Sequence, residues 1–386
     1  MNRAAIPRNA DFVVIGGGAI GASIAFHLAE ANVGDVVLLE SDELAAGSTS
    51  KAAGGVRAQF STPANVQLSV QSLQRFAEFE SRPGWNVDFT QNGYLFLLAD
   101  ERDVEAFQSN IKLQRQHGVD SRLLTVEEIH DLVPILALDG VLAGAYCPTD
   151  GRVTPEAVVH GYAAGARRCG AKIIPKCPVI DIEKEGGRIA RVVTPRGTIA
   201  TPRVICAAGA WASQIGAMVD IKLPVMPQRQ QILFTEQISD LPPALPLIVD
   251  FATGFYAHQD GRSLLLGMAD PNEPSSFNTK TSEDWISSLY AVAARRLPML
   301  HDVGLRGNWA GLYELTADHN PIIGQSQIVD GFYYAVGFSG HGLMHSPAVG
   351  EVMRDLVLNV TPHIDVSPFA LERFATGDLL AEHSAI

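Results

Sequence analysis

The sequence predicts an α/β fold, organised around a parallel sheet near the start of the chain. Three observations support this prediction. Residues 12–15 form an apolar, largely β-branched run, as in a buried parallel strand. A glycine-rich turn follows, and the next residues have apolar side chains at helical spacing. A second apolar run, residues 36–39, ends in Glu40. This order of elements is typical of a βαβ unit.

The turn is a G-x-G-x-x-G motif made by Gly16, Gly18 and Gly21. Gly16 permits a tight turn, Gly18 permits close approach of the backbone to a pyrophosphate, and Gly21 permits close packing of helix on strand. The N-terminus of the following helix favours the negative charge of a diphosphate. Glu40 follows Gly18 by 22 residues, where an acid accepts hydrogen bonds from adenosine ribose hydroxyls. We therefore predict a Rossmann-like domain that binds a dinucleotide.

The length, net charge and cysteine spacing of the chain argue against several classes of function. A chain of 386 residues is long enough for two domains. Its net charge of −13 argues against nucleic acid or an anionic membrane as a partner. The four cysteines lack C-x-x-C spacing, so we expect no metal site and reduced, buried thiols in a cytoplasmic protein. Because the first strand begins by residue 12, we also expect no signal peptide.

The loop after Glu40 contains the segments Gly47–Lys51 and Gly54–Arg57. Small side chains and hydroxyls there permit close approach of the backbone to a ligand, and Arg57 is the one fork-shaped cation nearby. A flexible surface loop would have a similar composition, so both interpretations stay open.

Further along, helices are predicted from Pro63, from Asp100, from the capping box Thr125–Glu128 and from Ser282. Strands are predicted around residues 94–98, 231–235, 247–251, 255–258 and 264–267, with a β-meander over residues 172–205.

The C-terminal part contains a second strand–glycine-loop–helix junction. A strand over residues 332–336 is followed by Gly337–Gly342, and we predict a helix that begins at Ser346–Pro347. The strand over residues 204–206 also runs into small residues, Ala208 and Gly209. The two ends of the chain are therefore predicted to build one site.

Together these segments resemble the FAD-dependent D-amino-acid oxidase superfamily, in particular its sarcosine and glycine oxidase branch and the β-subunit-like proline and hydroxyproline dehydrogenases. The resemblance rests on the N-terminal fingerprint and on GSTSKAAGGVR, AAGAW, GLYELTADHNPIIG and GFSGHG. It implies a discontinuous FAD-binding domain, with an antiparallel sheet of a substrate domain over the reactive face of the flavin. The expected FAD-binding segments are 1–84, 145–218 and 321–386, and the expected substrate segments are 85–144 and 219–320.

The resemblance also implies roles for individual residues. Arg57 falls where sarcosine oxidases hold the substrate carboxylate, and GFSGHG falls where the family cradles the pyrimidine edge of the flavin. Tyr256 or His258 is a candidate for the substrate pocket, although each is more often structural. We expect His341 to shape its loop rather than to act in acid–base catalysis. The expected FAD contacts are Gly16, Gly18, Ala19, Ile20, Gly21, Glu40, Ser48, Thr49, Ser50, Val179, Ala208, Gly209, Gly340, Gly342 and Leu343.

Two positions depart from the family pattern. Sarcosine oxidases tether FAD through a cysteine where this chain has Gly311, so we expect non-covalent FAD. Those oxidases also hold a lysine that promotes oxygen reduction where this chain has Met344, which favours a dehydrogenase over an oxidase.

The resulting hypothesis is an FAD-dependent oxidoreductase acting on an amino acid or secondary amine of the proline, hydroxyproline or sarcosine type. Hydride transfer from carbon to flavin N5 would give an imine. A 2-hydroxy-acid dehydrogenase and a flavin-binding assembly or scaffold subunit are the alternatives. The expected electron acceptor is a quinone, an electron-transfer protein or oxygen, and a homo- or hetero-oligomer stays open.

Overall fold

Two large sheets organise the chain, whose computed structural model describes residues 6–380, 382 and 384. In chain order the strands are β1 (Phe12–Ile15), β2 (Val36–Leu39), β3 (Gly55–Val56), β4 (Tyr94–Leu98), β5 (Arg122–Leu124), β6 (Ala143–Cys147), β7 (Gly151–Arg152), β8 (Lys172–Ile174), β9 (Asp181–Glu185), β10 (Arg188–Thr194), β11 (Gly197–Ala200), β12 (Val204–Cys206), β13 (Met226–Thr235), β14 (Leu247–Asp250), β15 (Phe255–Asp260), β16 (Ser263–Met268), β17 (Leu305–Leu315), β18 (Ile322–Gln325) and β19 (Phe332–Val336). The helices are α1 (Ala19–Glu30), α2 (Pro63–Ala77), α3 (Glu101–Gln116), α4 (Val126–Leu132), α5 (Pro155–Arg168), α6 (Ala212–Ala217), α7 (Glu283–Arg296), α8 (Gly342–Val357) and α9 (Arg373–Thr376).

The first sheet has the order β18-β19-β12-β1-β2-β8 and is parallel except at β18, which pairs antiparallel with β19. Strands β1, β2, β12 and β19 are completely buried, as expected for parallel strands covered on both faces. Three separate stretches of chain supply these strands, so the nucleotide-type sheet is discontinuous in sequence.

The second sheet has the order β17-β13-β16-β15-β14-β4-β6-β5. Neighbouring strands are antiparallel except for β14 and β4, which run parallel. Helix α7 packs on this sheet through Trp285 and Leu289. The predicted α/β class with a second, largely antiparallel sheet is confirmed. Residue 145, an expected boundary between the two domains, lies inside β6, and the domain boundaries stay a prediction.

Helix α8 begins earlier than predicted. It starts at Gly342, with His341 at its N-cap, and Pro347 lies inside it rather than at its first turn. A proline has no N–H to donate to the carbonyl four residues before it. Here the Ser346 hydroxyl donates to that carbonyl, of Leu343, at 2.8 Å. The helix therefore continues through the proline, and its N-terminus lies at the glycine loop.

Helices α1 and α8 lie side by side in close contact at Gly350. A Cβ built on Gly350 would lie 2.2 Å from Oγ of Ser23 and 2.5 Å from Cδ2 of His27. Any side chain at position 350 would therefore push the two helices apart.

Cys169 is exposed, contrary to the prediction of four buried thiols, whereas Cys147, Cys177 and Cys206 are buried. Within the described ranges, no group of His, Cys, Asp or Glu is arranged to hold a metal ion. No helix in that part of the chain is long and apolar enough to cross a membrane. A cytoplasmic location stays a prediction.

Candidate cofactor and substrate site

A cavity of about 490 Å³ lies where the glycine turn after β1, the loop after β12 and the start of α8 meet. Most of the expected FAD contacts line it. These are Gly16, Gly18, Ala19, Ile20, Glu40, Ser48, Thr49, Val179, Ala208, Gly209, Gly340, Gly342 and Leu343. Gly21 and Ser50 lie outside its wall, and so do Arg57, Tyr256, His341 and Met344.

The three glycines of the fingerprint have separate structural roles. Gly16 has φ +114°, and a Cβ there would lie 2.2 Å from the Ala207 carbonyl oxygen. A Cβ on Gly21 would lie 1.9 Å from the Gly16 carbonyl oxygen, which explains why Gly21 packs helix on strand instead of facing the cavity. A Cβ on Gly18 would meet only Oγ1 of Thr49, at 3.2 Å. The backbone at Gly18 is thus open to a ligand.

The N-terminus of α1 suits a diphosphate. No side chain caps it from the N-cap position, and its first turn contains no acid. Thr49 accepts one hydrogen bond there, from the N–H of Ala19 at 3.2 Å. The N–H groups of the first helical turn are therefore not capped by an acidic side chain, which leaves them able to bind a negatively charged group.

Glu40 is held by the backbone of the same loop. Its Oε2 accepts the Gly17 N–H at 2.6 Å, and its Oε1 accepts from Ser41 Oγ and Asp42 N at 2.8 Å. Its carboxylate therefore faces the cavity in a defined position. Together with the N-terminus of α1, which has no side-chain cap from its N-cap residue, this arrangement fits the adenosine diphosphate part of FAD.

The N-terminus of α8 faces the same cavity from the other end. His341 gives it no side-chain cap, and its first turn also lacks an acid. Gly340 has φ +93°, and a Cβ on it would lie 2.6 Å from the Tyr313 ring. Two helix N-termini thus face one cavity, one from each end of the chain.

Besides Glu40, three charged residues line the cavity and were not among the predicted site residues: Asp42, Lys51 and Glu314. Lys51 and Glu314 both line the cavity, Lys51 from the loop before β3 and Glu314 from β17. Burial raises the pKa of the Glu314 carboxyl to about 7, although the Gly337 and Phe338 N–H groups hydrogen-bond to it. No local sequence pattern marks either residue, because β17 and the loop meet only in the folded chain.

Arg57 is 1% exposed, and its guanidinium lies 4.0 Å from the centre of the Phe60 ring. It donates to the carbonyl oxygens of Gln59 and Ser384, and its Nη2 lies 3.4 Å from Nε2 of His341. Among the described residues, no carboxylate forms a salt bridge with it. A buried cation with only neutral partners is costly, so this position favours an anionic ligand.

A buried acid near Arg57, Asp150 in the turn before β7, binds the backbone of the Arg57 loop instead of the guanidinium. Asp150 accepts the Ala58 N–H at 2.9 Å and the Gln59 side-chain amide at 3.1 Å. Burial raises the pKa of the Asp150 carboxyl to about 6, against the lowering effect of these bonds and of the Arg57 charge. Asp150 therefore holds the segment that carries Arg57.

Three tyrosines connect Arg57 with the cavity. Tyr94 lies under the guanidinium, with 5.9 Å between the arginine carbon and the ring centre. Burial raises the pKa of Tyr256, and the proximity of Tyr313 and Tyr94 raises it further. Tyr313 lines the cavity, whereas the Tyr256 ring packs over Gly267. The cluster is a candidate wall for a substrate that reaches both Arg57 and FAD.

His341, His258 and Met344 lie around this site without lining it. Burial, then the Arg57 charge, lowers the pKa of His341 well below its ordinary value, so its imidazole is neutral. His258 contacts the carbonyl oxygens of Gln259 at 3.0 Å and Ala53 at 2.7 Å, which indicates a structural role. Met344 is 8% exposed and belongs to an apolar cluster.

Comparison with known proteins identifies the family. The family described as DAO, FAD dependent oxidoreductase, matches residues 11–356. Human mitochondrial dimethylglycine dehydrogenase is 32% identical over 377 residues, which are 92% of this chain but 43% of the relative. Mouse mitochondrial sarcosine dehydrogenase is 28% identical over 386 residues, 96% of this chain and 42% of the relative. The chain thus spans less than half the length of these two relatives.

Two solved structures resemble the whole chain. L-proline dehydrogenase from P. horikoshii has a TM-score of 0.92 and 32% identity, covering 97% of this chain and 100% of that one. Glycine oxidase from Geobacillus kaustophilus has a TM-score of 0.85 and 27% identity, covering 95% of this chain and 99% of that one.

These matches confirm the predicted resemblance, the FAD cofactor and the oxidoreductase class. The roles assigned to individual residues and the non-covalent attachment of FAD stay predictions. The chain belongs to the DAO family of FAD-dependent oxidoreductases.

Proposed function

We propose that this protein oxidises the C–N bond of an amino acid or secondary amine that carries a carboxylate, giving an imine. The observation that supports this most directly is Arg57, buried without a carboxylate partner among the described residues and adjacent to the N-cap of α8. L-proline, sarcosine and dimethylglycine, named for three relatives, are all N-alkylated amino acids with one carboxylate.

In this proposal Arg57 binds the substrate carboxylate and thereby fixes the orientation of the C–N bond. The neutral imidazole of His341 keeps the guanidinium in place without repelling it. Tyr94, Tyr256 and Tyr313 exclude water from the space between Arg57 and the cavity. Bound FAD supplies the hydride acceptor, which no side chain of the protein provides.

We further propose that the protein is a dehydrogenase and transfers electrons to a quinone or an electron-transfer protein, in the cytoplasm. The thioether of Met344 offers no charge to stabilise superoxide. This part of the proposal rests on the position of Met344, two residues after the GFSGHG segment.

The proposal is tested by mixing the oxidised holoprotein anaerobically with L-proline, sarcosine, dimethylglycine, glycine and L-lactate, while recording flavin absorbance. We expect rapid bleaching with at least one amine and none with L-lactate. Bleaching by L-lactate alone would establish a 2-hydroxy-acid dehydrogenase instead. If dithionite but none of these compounds bleaches the flavin, an assembly or scaffold role becomes the better hypothesis.

A further inference from the structure

Glu314 lies at the point of the cavity where α8 begins. Its Oε2 accepts the Gly337 N–H at 3.2 Å, and its backbone carbonyl accepts the Ser339 N–H at 3.2 Å. A Cβ built on Gly342 would lie 3.5 Å from Oε1, and one built on Gly209 would lie 3.5 Å from Oε2. Since Gly209 and Gly342 both line the cavity, the carboxyl lies between two surfaces that FAD must contact.

No neighbouring cation neutralises this carboxyl in the described part of the chain. The thiol of Cys206 on β12 faces it, and burial raises the pKa of that thiol to about 12. Tyr313, the preceding residue on β17, has its pKa raised by burial. Both groups are therefore neutral at physiological pH.

Other ionisable groups at the cavity are His341, which lies beside it, and Glu40, Asp42 and Lys51, which line it. His341 is neutral, because burial and the Arg57 charge lower its pKa. Lys51 lines the same cavity but forms no salt bridge with Glu314. Since burial raises the pKa of the Glu314 carboxyl to about 7, a modest change in local charge is enough to change its protonation.

The N-terminus of α8 therefore faces two possible anions, the Glu314 carboxylate and the reduced cofactor. Like charges close together in a buried site disfavour each other's ionisation. We propose that Glu314 is the proton acceptor for reduction of the cofactor: its carboxylate gains a proton when FAD is reduced and loses it when FAD is reoxidised.

The proton balance follows from the proposed function, on which this inference rests. Oxidation of an amine to an imine removes two electrons and two protons. The hydride delivers both electrons and one proton to FAD, and the second proton leaves the nitrogen. Uptake of one proton by Glu314 leaves the total charge of the cavity unchanged.

The test measures the midpoint potential of bound FAD by spectroelectrochemistry between pH 5.5 and 8.5. It needs no substrate, so it is independent of the identity of the amine. Each proton taken up in a two-electron reduction contributes about 30 mV per pH unit to the slope. We expect the wild-type slope to steepen by this amount as the pH rises through the Glu314 pKa of about 7.

The comparison variant is Glu314→Gln, which removes the proton site and keeps the shape of the side chain. For this variant we expect the slope of midpoint potential against pH to stay, over the whole range, at the value that wild type shows below pH 7. Its midpoint potential should lie above that of wild type at pH 8 and close to it at pH 6. Glu314→Asp should restore the steepening. Glu351→Gln, on α8, is the control, because Arg75 and Arg82 keep that carboxylate ionised. Identical slopes for wild type and Glu314→Gln would overturn the proposal.

A second measurement uses the wild-type holoprotein alone and applies even if Glu314→Gln fails to hold FAD. The reduced-minus-oxidised infrared difference spectrum should show the C=O band of a protonated carboxyl appearing on reduction. Absence of this band at pH 8 would also overturn the proposal.

Discussion

Lys51 occupies the space in front of Gly311: a Cβ built on Gly311 would lie 2.4 Å from the Cβ of Lys51. The lysine is held there by Trp309, whose Nε1 donates to the Lys51 carbonyl at 3.1 Å. Its ammonium lies 5.7 Å from the centre of the same indole. Position 311, where the family resemblance predicts a flavin-tethering cysteine in sarcosine oxidases, therefore has no room for a side chain.

FAD should consequently dissociate when the protein is denatured. After acid precipitation we expect all flavin absorbance in the supernatant, and flavin retained in the pellet would contradict the expectation. Gly311→Cys should form no covalent bond to flavin and should lose about 1–3 kcal/mol of unfolding free energy through overpacking. The matched control is Gly311→Cys combined with Lys51→Gly, which removes the clashing Cβ and should recover part of the loss.

Glu40→Ala should weaken FAD binding. The substitution removes an ionised acceptor from the Gly17 N–H and from the expected ribose position, a loss of about 1.5–3 kcal/mol. This corresponds to a roughly 10- to 150-fold higher dissociation constant, measured by fluorescence titration of the apoprotein with FAD. Glu40→Gln keeps one acceptor oxygen and should lose less. Unchanged affinity in Glu40→Ala would remove this residue from the site.

Arg57→Ala should impair the reaction while FAD stays bound. Loss of the charged partner of a desolvated carboxylate costs about 2–5 kcal/mol, so kcat/KM should fall by a factor of roughly 30 to 5,000. Arg57→Lys keeps the charge but not the fork geometry and should fall between wild type and Arg57→Ala. Steady-state kinetics with a dye acceptor provide the measurement. Near wild-type kinetics in Arg57→Ala would falsify the assignment.

The reduced protein should react slowly with oxygen. Stopped-flow mixing of the anaerobically reduced holoprotein with oxygenated buffer measures this rate directly. Met344→Lys should raise the rate but lower the melting temperature, because position 344 is 8% exposed and surrounded by apolar side chains. Met344→Leu is the control and should change neither quantity much. Wild-type reoxidation as fast as turnover would show that Met344 does not restrict oxygen chemistry.

Ser346→Ala should destabilise the start of α8. The hydroxyl satisfies the Leu343 carbonyl at a completely buried position, so its loss should cost about 1–3 kcal/mol in chemical denaturation. Ser287→Ala removes a similar hydrogen bond, to the Glu283 carbonyl, from an exposed face of α7. That variant should lose at most about 0.5 kcal/mol. Equal losses in the two variants would show that burial of the Leu343 carbonyl is unimportant.

Features encoded by neighbouring residues were predictable from the sequence. The fingerprint predicted β1, the turn and α1, and both hydrogen bonds of the predicted capping box between Thr125 and Glu128 are present. The start of α8 was predicted four residues too late, because a proline usually marks a first turn. Ser346 makes Pro347 tolerable inside the helix, and such compensation by a side chain is not visible in a local pattern.

Contacts between residues far apart in the sequence could not be predicted in this way. Arg57 and His341 are separated by 284 residues, and the enclosure of Arg57 by aromatic rings depends on strands of the second sheet. Glu314 and Lys51 were not predicted as site residues for the same reason. Their significance comes from shared burial beside one cavity, which no periodicity or spacing encodes.

The contact at Gly350 has a consequence for how such a protein diversifies. Because Gly350 has no side chain, α8 approaches α1 until position 350 meets the side chains of Ser23 and His27, so the spacing of the two helices at this point depends on residues 23, 27 and 350. None of these three positions lies on the second sheet, so residues of that sheet can be exchanged during evolution without altering this contact between α1 and α8. We therefore expect substitutions on the second sheet to change substrate preference without changing the spacing of the two helices.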